Sequence, residues 1–209
     1  AAARVGGIMA NSKFPVEFLN DNLRIQTNLF EAAYTYNVKR VLFLGSSCIY
    51  PKFSAQPIVE DSLLTGPLEE TNEAYAIAKI AGLKQVMSYR QEYNRNWISA
   101  MPTNLYGPRD NFDQDTGHVL PSLISKFHHA KISKSNQVIL WGSGKPFREF
   151  LHCDDLAAAC IHLLEYYDDL SPINIGSGEE ISIENLANLI SEIVGFEGKI
   201  LWDTKKPDG

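Results

Sequence analysis

Val41-Leu42-Phe43-Leu44-Gly45-Ser46-Ser47-Cys48 is the stretch on which the fold turns. Its first five residues form a short apolar run ending in glycine. That is the pattern of a strand buried on both faces of a parallel sheet. In open α/β sheets, ligands bind beyond the carboxyl ends of such strands. Ser46, Ser47 and Cys48 therefore stand where chemistry is expected.

Tyr75 and Lys79 follow, one helical turn apart. A Tyr-x-x-x-Lys pair on a helix places both side chains on one face. A phenol donates its proton at neutral pH only where something stabilises the anion, and a nearby ammonium does so. A hydroxyl at the strand end, Ser46, can polarise a substrate oxygen from the other side. These are the parts for moving a proton onto or off a carbonyl or alcohol oxygen. Alone, the pair reads more plainly as a solvated helix face; the strand before it favours the chemical reading.

Outward from this stretch, strands and helices alternate, which predicts an α/β fold with parallel pairing. Residues 16–37 read as an amphipathic helix, with Leu19, Leu23, Leu29, Phe30 and Ala33 as its apolar positions. A second long helix is expected over 74–93 and a strand over 97–101. Residues 104–116 read as a polar loop. A helix at 121–130, short strands at 138–141 and 149–152, a helix at 154–167 and a strand at 173–175 follow. Ser182 is expected to cap a helix running to Val194, with a last strand over 199–202. Residues up to about 103 resemble the back half of a Rossmann domain, and 104–209 resemble the smaller α/β substrate domain that enzymes of the family identified below weave into it.

Composition bounds the function. At 209 residues and 44% hydrophobic content the chain can bury a core. A formal net charge of −6 disfavours nucleic acid or an anionic membrane as partner. Three cysteines without regular spacing offer neither a disulfide framework nor a zinc signature, so a reducing, cytoplasmic setting is the default. Cys153, Cys160, His128, His129, His152 and His162 show no ligand spacing. No apolar run is long enough to span a membrane, and the opening Ala1-Ala-Ala-Arg-Val-Gly-Gly lacks the apolar core of a signal peptide.

Longer motifs reach a family. Ser46-Ser-Cys-Ile-Tyr-Pro-Lys52 precedes Tyr75-Ala-Ile-Ala-Lys79, then Met101-Pro-Thr-Asn-Leu-Tyr-Gly-Pro-Arg-Asp-Asn-Phe112 and Gly117-His118-Val-Leu-Pro. Trp141-Gly-Ser-Gly, Arg148-Glu-Phe-Leu-His and Lys206-Pro-Asp-Gly209 complete the series. In this order they resemble the extended short-chain dehydrogenase/reductases, and within them the GDP-4-keto-6-deoxy-mannose epimerase/reductases. The resemblance covers essentially the whole chain. The family opens on a G-x-G-x-x-G phosphate-binding turn, which does not occur here. The chain thus resembles the family without its first βα units and without a C-terminal stretch, and is expected to bind NADPH weakly and not to turn over.

The resemblance implies roles. Ser46, Tyr75 and Lys79 would serve reduction at C4. Cys48 and His118 would serve inversion at C3 and C5, since a thiol and an imidazole both titrate near neutrality when perturbed; a buried strand-end cysteine and a loop histidine are the blander readings. Leu44, Gly45, Ser46, Ser47, Lys79, Pro102, Thr103, Asn104, Leu105 and His118 would line NADP(H). Lys126, Trp141, Arg148 and Asp208 would hold the GDP-sugar, with Lys126 replacing a frequent arginine and so lacking its fork. A two-fold homodimer through the helices at 16–37 and 74–93 is also implied. Two rival readings stand beside this one. One is another nucleotide-sugar epimerase or a 4,6-dehydratase, the latter needing a carboxylate near 46–48. The other is a non-catalytic sugar-nucleotide-binding or dimerising fragment.

Overall fold

A computed structural model describes residues 2–114, 116–206 and 208. Pro207 and Gly209 of the closing Lys-Pro-Asp-Gly motif lie outside the described residues.

The stretch 41–48 forms a short strand, β1 (Leu42–Leu44), which runs parallel to β2 (Ile98–Pro102) with Phe43 opposite Ser99. β2 is buried along its whole length, as a central parallel strand requires. Its other neighbour is β6 (Ile173–Ile175), also parallel, with Pro102 opposite Ile175. The expected β6 bounds coincide with the observed ones, and the late strand returns to the first sheet.

Helices cover both faces of this sheet. On one face lie α2 (Pro15–Thr35) and α3 (Glu73–Tyr93), whose Phe30, Leu83 and Val86 pack with Phe43, Ile49, Trp97 and Met101. On the other, Leu163 of α5 (Cys153–Tyr166) packs with Ile98, Ala100, Leu42, Leu44 and Ile173. Alternate residues of β1 thus face opposite helical layers, which is the doubly covered arrangement a parallel sheet needs.

The helix at 16–37 forms, but its inward stripe differs from the expected one. α2 buries Phe18, Asn22, Gln26 and Phe30, while Leu29 is exposed. Two inward positions are polar because partners wait for them. Asn22 donates to the carbonyls of Phe18 and Arg4, and Gln26 to Ala78. A short helix, α1 (Ile8–Lys13), precedes α2.

The expected polar loop over 104–116 begins instead as a strand. β3 (Asn104–Tyr106) pairs parallel with β5 (Phe147–His152), and β5 pairs antiparallel with β7 (Glu180–Ser182). Only this pairing makes 104–106 a strand; its own residues give no alternation to read. A two-stranded parallel sheet joins β4 (Gln137–Trp141) to β8 (Lys199–Asp203). A second core gathers between β4, α4 (Val119–Ile132) and α6 (Ile183–Val194), with Leu123, Phe127, Leu140, Leu186 and Ile190. Ser182 caps α6 by accepting from the Asn185 N–H at 3.1 Å, as the sequence predicts. No helix among the described residues is long and apolar enough to cross a membrane.

Candidate active site

Past β1 the chain turns sharply. The Gly45 N–H still pairs with the Ala100 carbonyl at 2.9 Å. A Cβ on Gly45 would stand 2.3 Å from Met101 Sδ, so only glycine lets the strand end lie this close to β2. Ser46 then caps a single 3₁₀ turn over Ser47–Ile49, its hydroxyl accepting from the Cys48 N–H at 3.5 Å.

α3 brings Tyr75 and Lys79 to this turn. Lys79 is only 6% exposed; its ammonium donates to the Leu44 carbonyl at 2.8 Å and lies 5.8 Å from the Tyr75 ring centroid and 5.0 Å from that of Phe43. Ser46, Cys48, Tyr75 and Lys79 form one electrostatically coupled group. Burial pushes the Cys48 thiol up to about 11, against the pull of the Ser46 hydroxyl and the Lys79 charge. Burial also pushes the Tyr75 phenol up, with Cys48 adding to it and Ser46 opposing. Lys79 is pushed down by burial and partly restored by Cys48.

One expectation changes here. The sequence argument has the Lys79 ammonium lowering the Tyr75 pKa. In the structure burial dominates, because the phenol is packed beneath α2, edge-on to Phe18 at 6.3 Å, and the ammonium is directed to a backbone carbonyl. The consequence is chemical: both Tyr75 and Cys48 hold their protons at neutral pH, and burial makes each a weaker acid than the free side chain.

Pro102, Thr103, Asn104 and Leu105 form the crossing from the first sheet to the second. The Thr103 N–H pairs with the Ile175 carbonyl at 3.0 Å, and both Thr103 Oγ1 and Asn104 Nδ2 donate to the Glu149 carbonyl, at 3.1 and 2.9 Å. His118 is exposed and opens α4 as its N-cap residue without a side-chain capping bond. Among the described residues no hydrogen bond ties its ring to the Ser46–Lys79 group.

The four residues expected at the sugar nucleotide gather separately. The Lys126 and Lys206 ammonium groups lie 5.1 and 5.2 Å from the Trp141 ring centroid. Asp208 accepts from the Ser143 backbone N–H and from its hydroxyl, the latter at 3.1 Å, which holds its carboxyl below the usual range. Arg148 is half-buried; burial lowers its guanidinium pKa, and the charges of Asp208 and Glu69 oppose that. Glu69 is a residue the sequence reasoning does not find. Its carboxylate pairs with Lys52 at 2.9 Å and accepts from Thr71 Oγ1 at 3.4 Å, four residues ahead of Tyr75. No single-sequence pattern joins position 69 to position 148.

His152, Cys153 and Asp154 bring potential metal-ligating atoms within 4.8 Å of one another. Their sequence adjacency already has a local use: His152 Nδ1 accepts the Asp154 N–H at 3.3 Å as the cap of α5.

Comparison with known proteins places this geometry. The profile of the NAD dependent epimerase/dehydratase family matches residues 1–176. GDP-L-fucose synthase 1 of Arabidopsis thaliana is 58% identical over 209 residues, covering 100% of this chain and 65% of its own length. GDP-L-fucose synthase of Escherichia coli (strain K12) is 50% identical over 218 residues, covering 100% of this chain and 68% of its own. The chain thus spans about two thirds of these relatives, and slightly less of the plant protein. A crystal structure of a GDP-L-fucose synthetase from Naegleria fowleri bound to NADP superposes with a TM-score of 0.87 at 33% identity, over 94% of this chain and 63% of that one.

Proposed function

The chain belongs to the NAD dependent epimerase/dehydratase family, and from that membership we propose that it serves the NADPH-dependent 3,5-epimerisation and C4 reduction of GDP-4-keto-6-deoxy-D-mannose to GDP-L-fucose. The observation that carries the reading is the meeting of Cys48 with Ser46, Tyr75 and Lys79 at the carboxyl end of β1. Reduction alone needs the serine, tyrosine and lysine; a protonated thiol in the same group serves proton transfer at carbon.

The residues at the sheet edge suit a nicotinamide cofactor. Lys79, with one N–H on Leu44, has further donors for ribose hydroxyls. Leu44–Ser47, Pro102–Leu105 and His118 would line the same group. When bound, NADPH supplies hydride to C4. Tyr75 gives its proton to the C4 oxygen, and Ser46 holds that oxygen. The 4-keto group acidifies the C3 and C5 protons, and Cys48 and His118 exchange protons there. Trp141 packs against the nucleotide, Arg148 and Lys126 meet the diphosphate, and Asp208 accepts from a hydroxyl or from guanine.

Against a 4,6-dehydratase stands the charge environment: the partners that shift Cys48, Tyr75 and Lys79 include no carboxylate. Residues to about 103 act as the cofactor side and those from 104 as the sugar-nucleotide side, with β6 lent back to the first. Cytoplasmic residence and a homodimer through α2 and α3 complete the reading; Val16, Leu29 and Ile77 give those helices exposed apolar surface at 67%, 54% and 45%.

Calorimetry of the 209-residue chain with GDP-mannose and UDP-galactose tests it. GDP-mannose should bind and UDP-galactose should not; the reverse preference would move the chain to a UDP-sugar epimerase. On the full-length protein, GDP-4-keto-6-deoxy-D-mannose and NADPH should yield GDP-L-fucose.

A further inference from the structure

Among the described residues His118 has no side-chain bond that fixes it, so its position is set there by the backbone leading into α4. That backbone is braced from three directions. Within the turn, Asp113 accepts from the Thr116 N–H and hydroxyl, both at 2.8 Å, and its carbonyl accepts from the Gly117 N–H at 3.0 Å. From α4, the buried Ser122 donates its hydroxyl to the Gln114 carbonyl at 2.9 Å.

The third brace comes from more than a hundred residues away. The Gly7 N–H donates to the Thr116 carbonyl at 3.3 Å. A Cβ on Gly7 would stand 2.9 Å from the Gly117 carbonyl oxygen, and one on Gly117 would stand 2.4 Å from that of Asn111. Two glycines therefore meet where any side chain would force the strands of backbone apart. Asn11 fixes the Gly6–Gly7 turn in this shape. It is 7% exposed, and its Nδ2 donates to the carbonyls of Gly6 at 2.7 Å and Gly7 at 3.1 Å. Among the described residues its buried Oδ1 has no hydrogen-bond partner, so the side chain is fixed by its two donated bonds.

We propose that Asn11 and Gly7 are positioning residues for His118, setting its reach by holding Thr116 and Gly117, the backbone that leads into it. The catalytic meaning rests on the role given to His118 above; the mechanical contact does not. A proton-transfer group loses much of its effect when displaced by about an ångström, and an exposed imidazole with no side-chain bond among the described residues takes its place from its backbone.

The 209-residue chain tests the contact. Amide hydrogen exchange and the His118 ring resonances are followed in Gly7→Ala and Asn11→Asp, with Leu83→Ala as a destabilised control in the other core. Gly7→Ala should speed exchange at Thr116–His118 by about tenfold or more and shift the His118 ring signals, while residues 73–93 keep parental rates. Leu83→Ala should do the opposite. Should Gly7→Ala fail to fold, Asn11→Asp, which keeps the volume but loses the double donor, carries the same expectation. Unchanged His118 signals and unchanged exchange over 113–118 in folded variants would overturn the proposal. In the full-length protein the same variants should slow C3 and C5 deuterium incorporation with an unaltered KM for the GDP-sugar. If His118→Gln leaves that incorporation intact, the role of His118 falls, and with it the catalytic half of the proposal, whatever the spectra show.

Discussion

Lys79 and Lys126 carry the same charge into two different settings. Lys79 lies in a packed interior with Phe43, Tyr75 and a backbone carbonyl around its ammonium. Lys126 lies over Trp141 on a partly open rim, beside the exposed Lys206. Around Lys79, burial is the leading cause of every shift, at Cys48, Tyr75 and Lys79 alike. At Asp208 on the rim, hydrogen bonds from Ser143 lead instead. The interior group is therefore set by desolvation, which salt does not touch. On the rim, Asp208 is set by local bonds and screened charge, while Arg148 is still led by burial.

The largest contrast is catalytic. Tyr75→Phe in the full-length protein removes the proton donor and should lower C4 reduction by about 10²–10⁴-fold, the usual worth of general acid catalysis. GDP-mannose affinity should hold within about twofold, because the rim is untouched. Reduction near the parental rate would break the assignment of the interior group.

Next comes stability. Leu83 is one turn beyond Lys79 on α3 and fully buried, so Leu83→Ala should cost about 2–5 kcal/mol in urea unfolding. Ile139, 54% exposed on β4, is an apolar residue of the second unit, and Ile139→Ala should stay within about 0.5 kcal/mol. Equal costs would mean the outer face of β4 is covered by something.

Alkaline pH gives a smaller and more specific effect. The Cys48 thiol is raised from 9.0 to about 11. The folded state therefore keeps a proton that the unfolded chain releases first. The stabilisation is complete below pH 9 and is lost as pH rises towards about 11. Two pKa units correspond to at most about 3 kcal/mol, of which Cys48→Ala should remove the part falling in this window. A variant with the same alkaline slope as the parent would show that other groups, such as Tyr50 at about 12, carry it.

What was legible in the sequence follows the same division. The apolar run at 41–45 announces its strand because packing between two helical layers demands such residues, and Ile173 and Ile175 announce theirs because one face of it packs with Leu163. Ser182 announces a helix start because its hydroxyl meets a free backbone N–H. The pairing of Tyr75 with Lys79 is readable from helical spacing, and the structure brings Ser46 and Cys48 to them. The direction of the Tyr75 shift is not readable, since it depends on how Phe18 and α2 close over the ring. Nor are β3, whose strand exists only through β5, or the Asn22–Gln26 stripe, whose partners lie on Arg4 and Ala78. Glu69 stays hidden for the same reason, since Lys52 and Arg148 are remote in the chain; Asn11 bonds locally to Gly6 and Gly7, and it is the Gly7–Thr116 contact beyond them that the sequence does not show.

The smallest expected effects lie on the rim, and their size is the test of its openness. Arg148 is half-buried, donates to the Phe147 carbonyl at 2.7 Å and feels the charges of Asp208 and Glu69; its planar guanidinium suits a two-pronged contact. Arg148→Lys keeps the charge and loses the fork, and should weaken GDP-mannose binding by about tenfold. Lys126 offers a point charge on a flexible stem beside a second lysine that can substitute for it over Trp141. Lys126 is half-buried like Arg148 but has no fork, and an ion contact near the surface is worth about 0.2–1 kcal/mol, so Lys126→Gln should cost less than about fivefold. Raising the salt to about 0.5 M should erase that difference and leave most of the arginine effect, because screening acts on the open charge first. A hundredfold loss at Lys126 that persisted in salt would mean that the bound nucleotide buries this ammonium as deeply as the core buries Lys79. The distinction between interior and rim would then describe only the ligand-free protein.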